Sequence, residues 1–466
     1  MRVVAWFGRR GRSARSGPQG ERTAGTRERR LPQGRRVLVA GLAAAVGVGI
    51  VVGTRLLGER DGPVAPRVEA VTVGFVWPEY PGELQVTDPA LIEPLVQALG
   101  QASQPAERSG NQDRGVSGEV PATRELYWRL AWEEGGQTRE LLATRDFRLV
   151  DPTRGAVVSS PAATPVLEAL TEQLHGSFFG EPLAWDEALR RFPAGATAQV
   201  RDLETGLAFQ VRRHRGDAHA DVEPLTAEDS ETLRTIYGGE WSWKRRAVVA
   251  TIQDRAVAGS INGMPHGWGD LFDNQFEGHF CLHFAGSRVH TTWRVDDGHQ
   301  LMVLKAAGLL ADTLDQAEPE ELARWVMAAV NHRERATLRY LADELDPALQ
   351  EALFAQIRTL FVWGSRRVDG DHQRARVRVE ATLYYTAPDP QTPYRVNPVL
   401  AFHRPHEGGP WLLAFDGLAQ LLRASPTAAP TGEPARVDRE APTLAQLMAG
   451  GCAPEPAGFG PTQDAS

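Results

Sequence analysis

Cysteine is almost absent from this chain: 466 residues contain two, Cys281 and Cys452. Two thiols exclude a disulfide-stapled framework, and the spacing gives no argument for pairing them in an oxidising compartment. No Gly-rich loop ends in a Lys-Ser or Lys-Thr pair, which excludes a phosphate-cradling nucleotide site. Acidic side chains are scarce at one end only. The first 36 residues hold eleven arginines, no lysine, and just Glu21 and Glu28. The remainder carries 40 basic against 57 acidic side chains, an excess that repels nucleic acid and removes it from the expected partners.

Long apolar runs are equally rare, and the chief one has a position with meaning. Val37–Gly53 lacks any polar side chain, and Leu56-Leu57 extend it past Thr54-Arg55. About 20 apolar residues cross a bilayer as a helix. Arginines before the run and Gly58-Glu59-Arg60-Asp61 after it predict an N-terminus inside, with everything beyond Leu57 outside. The expectation is a single-pass cell-membrane protein whose basic head lies against anionic headgroups and whose bulk is extracytoplasmic. A cleaved signal peptide is the competing reading, against which stands the length of the basic region.

At this length one core is too few, and roughly three domains are expected. The patterning predicts an α+β multidomain chain with one N-terminal transmembrane helix and a central β-rich domain flanked by small α+β modules. Its segments are a basic cytoplasmic stretch (1–36), the membrane helix (37–57), a linker (58–67), an α+β module (68–175) and a β-rich candidate catalytic domain (178–310). A module of helices plus antiparallel sheet (313–423) and a Pro/Ala/Thr/Gly-rich disordered tail (424–466) follow. Within them, Glu204-Thr205-Gly206 marks a hairpin turn, and Thr226-x-x-Asp229 forms a variant capping box. Ala375, Val377, Val379, Ala381 and Leu383 alternate with charged or polar residues as a half-buried strand. Trp128, Trp132 and Tyr127 read as core.

Seven of the 12 histidines (His214, His219, His266, His279, His283, His290 and His299) fall in the middle region around Cys281. A lone thiol with histidines two residues before and two after it has what a thiolate nucleophile needs, because a nearby imidazole takes its proton and stabilises the charge. Strand alternation puts His279, Cys281 and His283 on one side. That arrangement also suits a zinc site drawn from His219, Asp221, His266, His279 and His283, as in a zinc-dependent peptidoglycan hydrolase. A third reading is structural, since cysteine is often simply buried. Trp243, beside Lys244-Arg245-Arg246, is a candidate substrate contact, with a packed aromatic anchor as its blander reading.

The order His266-Gly267, a loop, then His279-x-Cys281 resembles the L,D-transpeptidase catalytic (YkuD-type) domain, over the middle third of the chain. The resemblance implies Cys281 as nucleophile on the peptide carbonyl of a peptidoglycan stem and His266 as its base. It further implies His279 behind them or on the oxyanion side; Gly267, His283 and Trp243 are expected substrate contacts from their place in the sequence. No cofactor is implied, and the implied partners are the cell membrane and peptidoglycan or its stem peptides. Gly278 stands where the family has Ser or Thr, and Phe280 where it has Gly, a position from which a side chain can obstruct the oxyanion donors. The alternative function is a non-catalytic envelope binding or scaffold protein that retains an old site.

Overall fold

The computed structural model describes residues 68–76, 82–102, 123–153, 156–158, 163–290, 293–342, 344–387 and 390–423. The expected basic head, membrane helix, linker and tail (1–36, 37–57, 58–67 and 424–466) lie outside the described residues. Alternating apolar and polar positions drive seventeen segments of the described chain into antiparallel strands. The first six are β1 (Val71–Phe75), β2 (Glu83–Val86), β3 (Leu126–Glu134), β4 (Gln137–Thr144), β5 (Leu149–Asp151) and β6 (Ala156–Val158), in the order β2-β1-β3-β4-β5-β6. Helix α1 (Pro89–Ala102) starts where the Asp88 carboxylate accepts the Ala90 N–H. Helix α2 (Thr164–Phe178) buries Leu167, Leu170, Leu174 and Phe178, spaced three or four apart, in one core with Trp128 and Leu130.

After α3 (Trp185–Arg191) the chain builds a closed barrel. Its strands are β7 (Thr197–Asp202), β8 (Ala208–Arg215), β9 (Ala220–Pro224), β10 (Arg246–Ile252), β11 (Arg255–Ile261) and β12 (Phe280–His283), joined as β10-β11-β12-β9-β8-β7 with β7 returning to β10. Helix α4 (Ala227–Ile236) opens on the capping box that Thr226 and Asp229 form. Inward residues Val200, Phe209, Val211, Val222, Phe280 and Leu282 belong to the cluster that fills the barrel. Closure places β12 beside β9, some sixty residues earlier, and this decides the site.

Helices α5 (Asp297–Ala306), α6 (Leu310–Gln316), α7 (Pro319–His332), α8 (Arg335–Leu341) and α9 (Pro347–Gln356) follow. A second open sheet contains β13 (Ile357–Gly370), β14 (Arg374–Tyr385), β15 (Tyr394–Val396), β16 (Val399–His403) and β17 (Leu412–Leu413), and α10 (Gln420–Arg423) ends the described chain. One hydrophobic cluster runs from Val68 to Leu421. It joins the first sheet, the outward residues Ala247, Val249 and Ala258 of the barrel, α5, α7 and the last sheet.

The expected class, an α+β multidomain chain with a membrane helix and small flanking modules, is therefore corrected. The described residues are β-rich, and none of their helices is long and apolar enough to cross a membrane. Helix α5 is buried on every side, yet its ten residues reach only about 15 Å. It is apolar because it lies between the barrel and α7. The segments read as separate modules share that same cluster, since each sheet alone leaves an apolar face uncovered.

Candidate active site

The loop between β11 and β12 is pinned at its neck. His266 and His279 exchange two backbone hydrogen bonds of 3.0 and 2.9 Å as an antiparallel bridge. Glycine is required on both sides of it. Gly267 has φ +62°, and a Cβ there would meet the His279 ring at 2.5 Å; Gly278 has φ +88°, and a Cβ would meet the His266 carbonyl oxygen at 2.3 Å. That backbone demand accounts for Gly278 where Ser or Thr was the family expectation. The loop itself hangs on buried Glu223 of β9, whose carboxylate accepts the N–H groups of Asp270 and Leu271. His214 Nδ1–H donates to Asp270 at 2.7 Å, and the Asn274 amide donates to the Pro224 carbonyl at 2.8 Å.

On β12 the two-residue period sorts the side chains. Phe280 and Leu282 enter the barrel core, while Cys281 faces outward. Cys281 Sγ lies 3.4 Å from His266 Nε2. His266 Nδ1–H donates to the Met264 carbonyl at 2.8 Å, which leaves Nε2 as the nitrogen facing the sulfur. The Trp243 ring sits 5.0 Å from the imidazole. From the other side comes β9, where Asp221 is the register partner of Cys281. His219 Nδ1–H donates to the Arg288 carbonyl at 2.8 Å, and its Nε2 stands 3.3 Å from Asp221 Oδ1. Ring nitrogens of His219 and His283 lie within 4.8 Å of each other and of the sulfur.

These neighbours sort the imidazoles into two kinds. Burial is the largest influence on His266 and depresses its pKa, but the charge and hydrogen bond of Cys281, the Met264 carbonyl and Asp221 together outweigh it, and the net shift is upward. At His219 burial is again opposed, here by Cys281 and Asp221 together, and the pKa is pushed up to about 10. Asp221 stays low: burial and the sulfur's charge would raise it, and His219 and His279 together more than offset them. His283 goes the other way, to about 4, through burial and then the charge on His219. Burial and then the charge on His266 likewise depress His279. Around the sulfur, then, His266 and His219 shift toward the charged form and His283 and His279 toward the neutral one.

Several expected residues take different places. Phe280 is fully buried with Phe209 and Phe276, so it does not block approach to Cys281. His283, expected at the substrate, is 1% exposed and stacks on His299 of α5 at 3.6 Å. His279 donates from Nδ1 to the Trp268 carbonyl at 2.9 Å, supporting the loop. Gly267 and Trp243 sit against His279 and His266, as just described.

The expected zinc set of His219, Asp221, His279 and His283, with His266 as a further donor, does not gather. Among the described residues the nearest metal-type grouping is instead His219, Cys281 and His283. It fits an ion poorly, because the His219 and His283 rings stack at 4.2 Å with 19° between their planes. Imidazole lone pairs lie in the ring plane, so two stacked rings do not converge on one ion. The other grouping, His214, Glu223 and Asp270, is already committed to holding the loop.

No family model matches the chain, and no curated protein matches it. Sequence reasoning placed His219 only among metal ligands and passed over Glu223. Neither has a local signal, since both act through the β9–β12 pairing. His299 of α5 is likewise buried and hydrogen-bonded to Ser260 at 2.8 Å.

Proposed function

We propose that the chain is a cysteine-dependent acyltransferase of the L,D-transpeptidase type, acting on peptidoglycan stem peptides in the cell envelope. The observation that carries this reading is the 3.4 Å approach of Cys281 Sγ to a His266 ring whose other nitrogen is anchored on a carbonyl. The Cys281 thiolate attacks a stem-peptide carbonyl; a C–S bond forms, the C–N bond breaks, and the leaving amine takes its proton from His266. An acceptor amine then attacks the thioester, His266 takes that proton, and the thiolate leaves. His219, held by the Arg288 carbonyl and Asp221, supplies a second positive charge that keeps the sulfur ionised between the steps. Cys281 is only 2% exposed, whereas Trp268 and Phe272 on the loop are 65% and 94% exposed, so the substrate enters along the loop.

Incubation with a tetrapeptide stem tests the proposal by intact-protein mass spectrometry. The expected result is a mass increase on Cys281 equal to the stem minus the free terminal amino acid that leaves, absent in Cys281→Ala and much slower in His266→Gln. Unmodified protein under conditions where the thiol alkylates readily would defeat it.

A further inference from the structure

Lysine occurs twice among the 51 basic residues of the chain, at Lys244 and Lys305, and both meet at one place. There a cavity of about 130 Å³ opens between the segment leading into β10 and the junction of α7 with α8. Its basic wall is Lys244, Arg245, Arg246, Arg333 and Arg335, against the carboxylates of Glu204 and Glu334. Both carboxylates are already engaged. The buried Lys305 ammonium donates to each at 2.8 Å, and Arg246 reaches Glu204 at 3.1 Å. Arg246 also forks onto Asp202 with two bonds of 2.7 Å, and Arg335 pairs with Glu351. Arg245 has its Nε buried without an acceptor.

Lys244 and Arg333 are left without an anionic partner among the described residues. Arg333 is held there at a conformational cost. It caps α7 with φ +61° and ψ 38°, a left-handed geometry that glycine adopts more easily. Lys244 is exposed overall; partial burial and then the charges of Arg333 and Arg246 lower its pKa, against Glu204 and Glu334, which raise it. The cavity lies one residue from Trp243, which packs on the candidate base His266.

We propose that this cavity binds an oxyanion, a carboxylate or a phosphate, between Lys244 and Arg333. That the anion belongs to the acyl substrate, as its free carboxylate, rests on the acyl-transfer reading; the anion site itself does not. A compact ammonium beside a guanidinium suits such a group, and a bound anion relieves the mutual repulsion.

Calorimetric titration of the full chain tests it, with inorganic phosphate in one arm and N-acetyl-D-alanyl-D-alanine against its C-terminal amide in the other. Binding in either arm is expected to weaken about tenfold or more in Lys244→Ala and in Arg333→Gly. Arg333→Gly should melt no lower than the wild type, because glycine accepts the left-handed backbone. Acid bound in preference to amide assigns the anion to a peptide carboxylate, and phosphate binding alone assigns it to a phosphate group. No binding in either arm, or binding that both variants retain, would overturn the site. Cys281→Ser should bind the anion as the wild type does, so a failure of the nucleophile reading leaves this result standing.

Discussion

The β13–β14 sheet and the outer barrel face around β12 follow the same strand alternation and treat polar side chains in opposite ways. On β14, Ala375, Val377, Val379, Ala381 and Leu383 are buried, while Arg374, Arg376 and Glu380 point to solvent. Around β12 the outward positions are Cys281, His283, Asp221 and Ser260, and all are buried, Ser260 and His283 against His299 of α5. His279 Nε2, His283 Nδ1 and His299 Nε2 are buried there without hydrogen-bond geometry to any partner. Each such atom costs about 1–3 kcal/mol. A sheet selected for stability alone would resemble β14. The barrel face gives up stability where charged and neutral imidazoles are arranged around one sulfur, as functional sites commonly do.

Replacing residues on each side should separate chemistry from stability. Largest is the effect of His266→Gln, which should slow acylation of Cys281 by about 10²-fold or more while leaving the urea midpoint close to wild type. A matching loss of stability would mean that His266 is a packing residue. In the other region, Leu383→Ala removes a fully buried side chain and should cost about 2–5 kcal/mol in urea unfolding, with no change in the alkylation rate of the native protein.

A smaller effect is expected from pH. His219 has a folded pKa of about 10, above the ordinary imidazole value of 6.5. A raised folded pKa means that its contribution is complete below about pH 6.5 and is lost as pH rises through about 10. The wild type should therefore lose stability between neutral pH and pH 10, and His219→Gln should flatten that decline; parallel curves would remove the charge from His219. Smallest is Arg376→Ala on the solvent face of β14. Its ion pair with Asp369 is exposed, so no measurable shift in melting temperature is expected.

Local patterns were legible in the sequence. The alternation from Ala375 to Leu383, the Thr226–Asp229 capping box, the turn at Glu204-Thr205-Gly206 and the buried Trp128 each depend on residues within a few positions. His266 and Cys281 were legible as a pair through the order His266-Gly267, a loop, then His279-x-Cys281. The rest depends on distant pairing. Nothing near His219 or Asp221 indicates that barrel closure will set β9 against β12, so their contact with Cys281 was invisible and the same residues also suited a metal set. The apolar girth of α5 has the same origin, being set by the barrel and α7 on either side.

The claim on which the account rests is that His266 holds Cys281 in its reactive form. The direct measurement is the rate of iodoacetamide alkylation at Cys281 from pH 4 to pH 9, in a Cys452→Ser background, with and without His266→Gln. The account predicts that wild-type labelling persists well below the free-thiol pKa of about 8.5, and that His266→Gln moves the midpoint back toward it. Superimposed curves with a midpoint near that free-thiol value would contradict it.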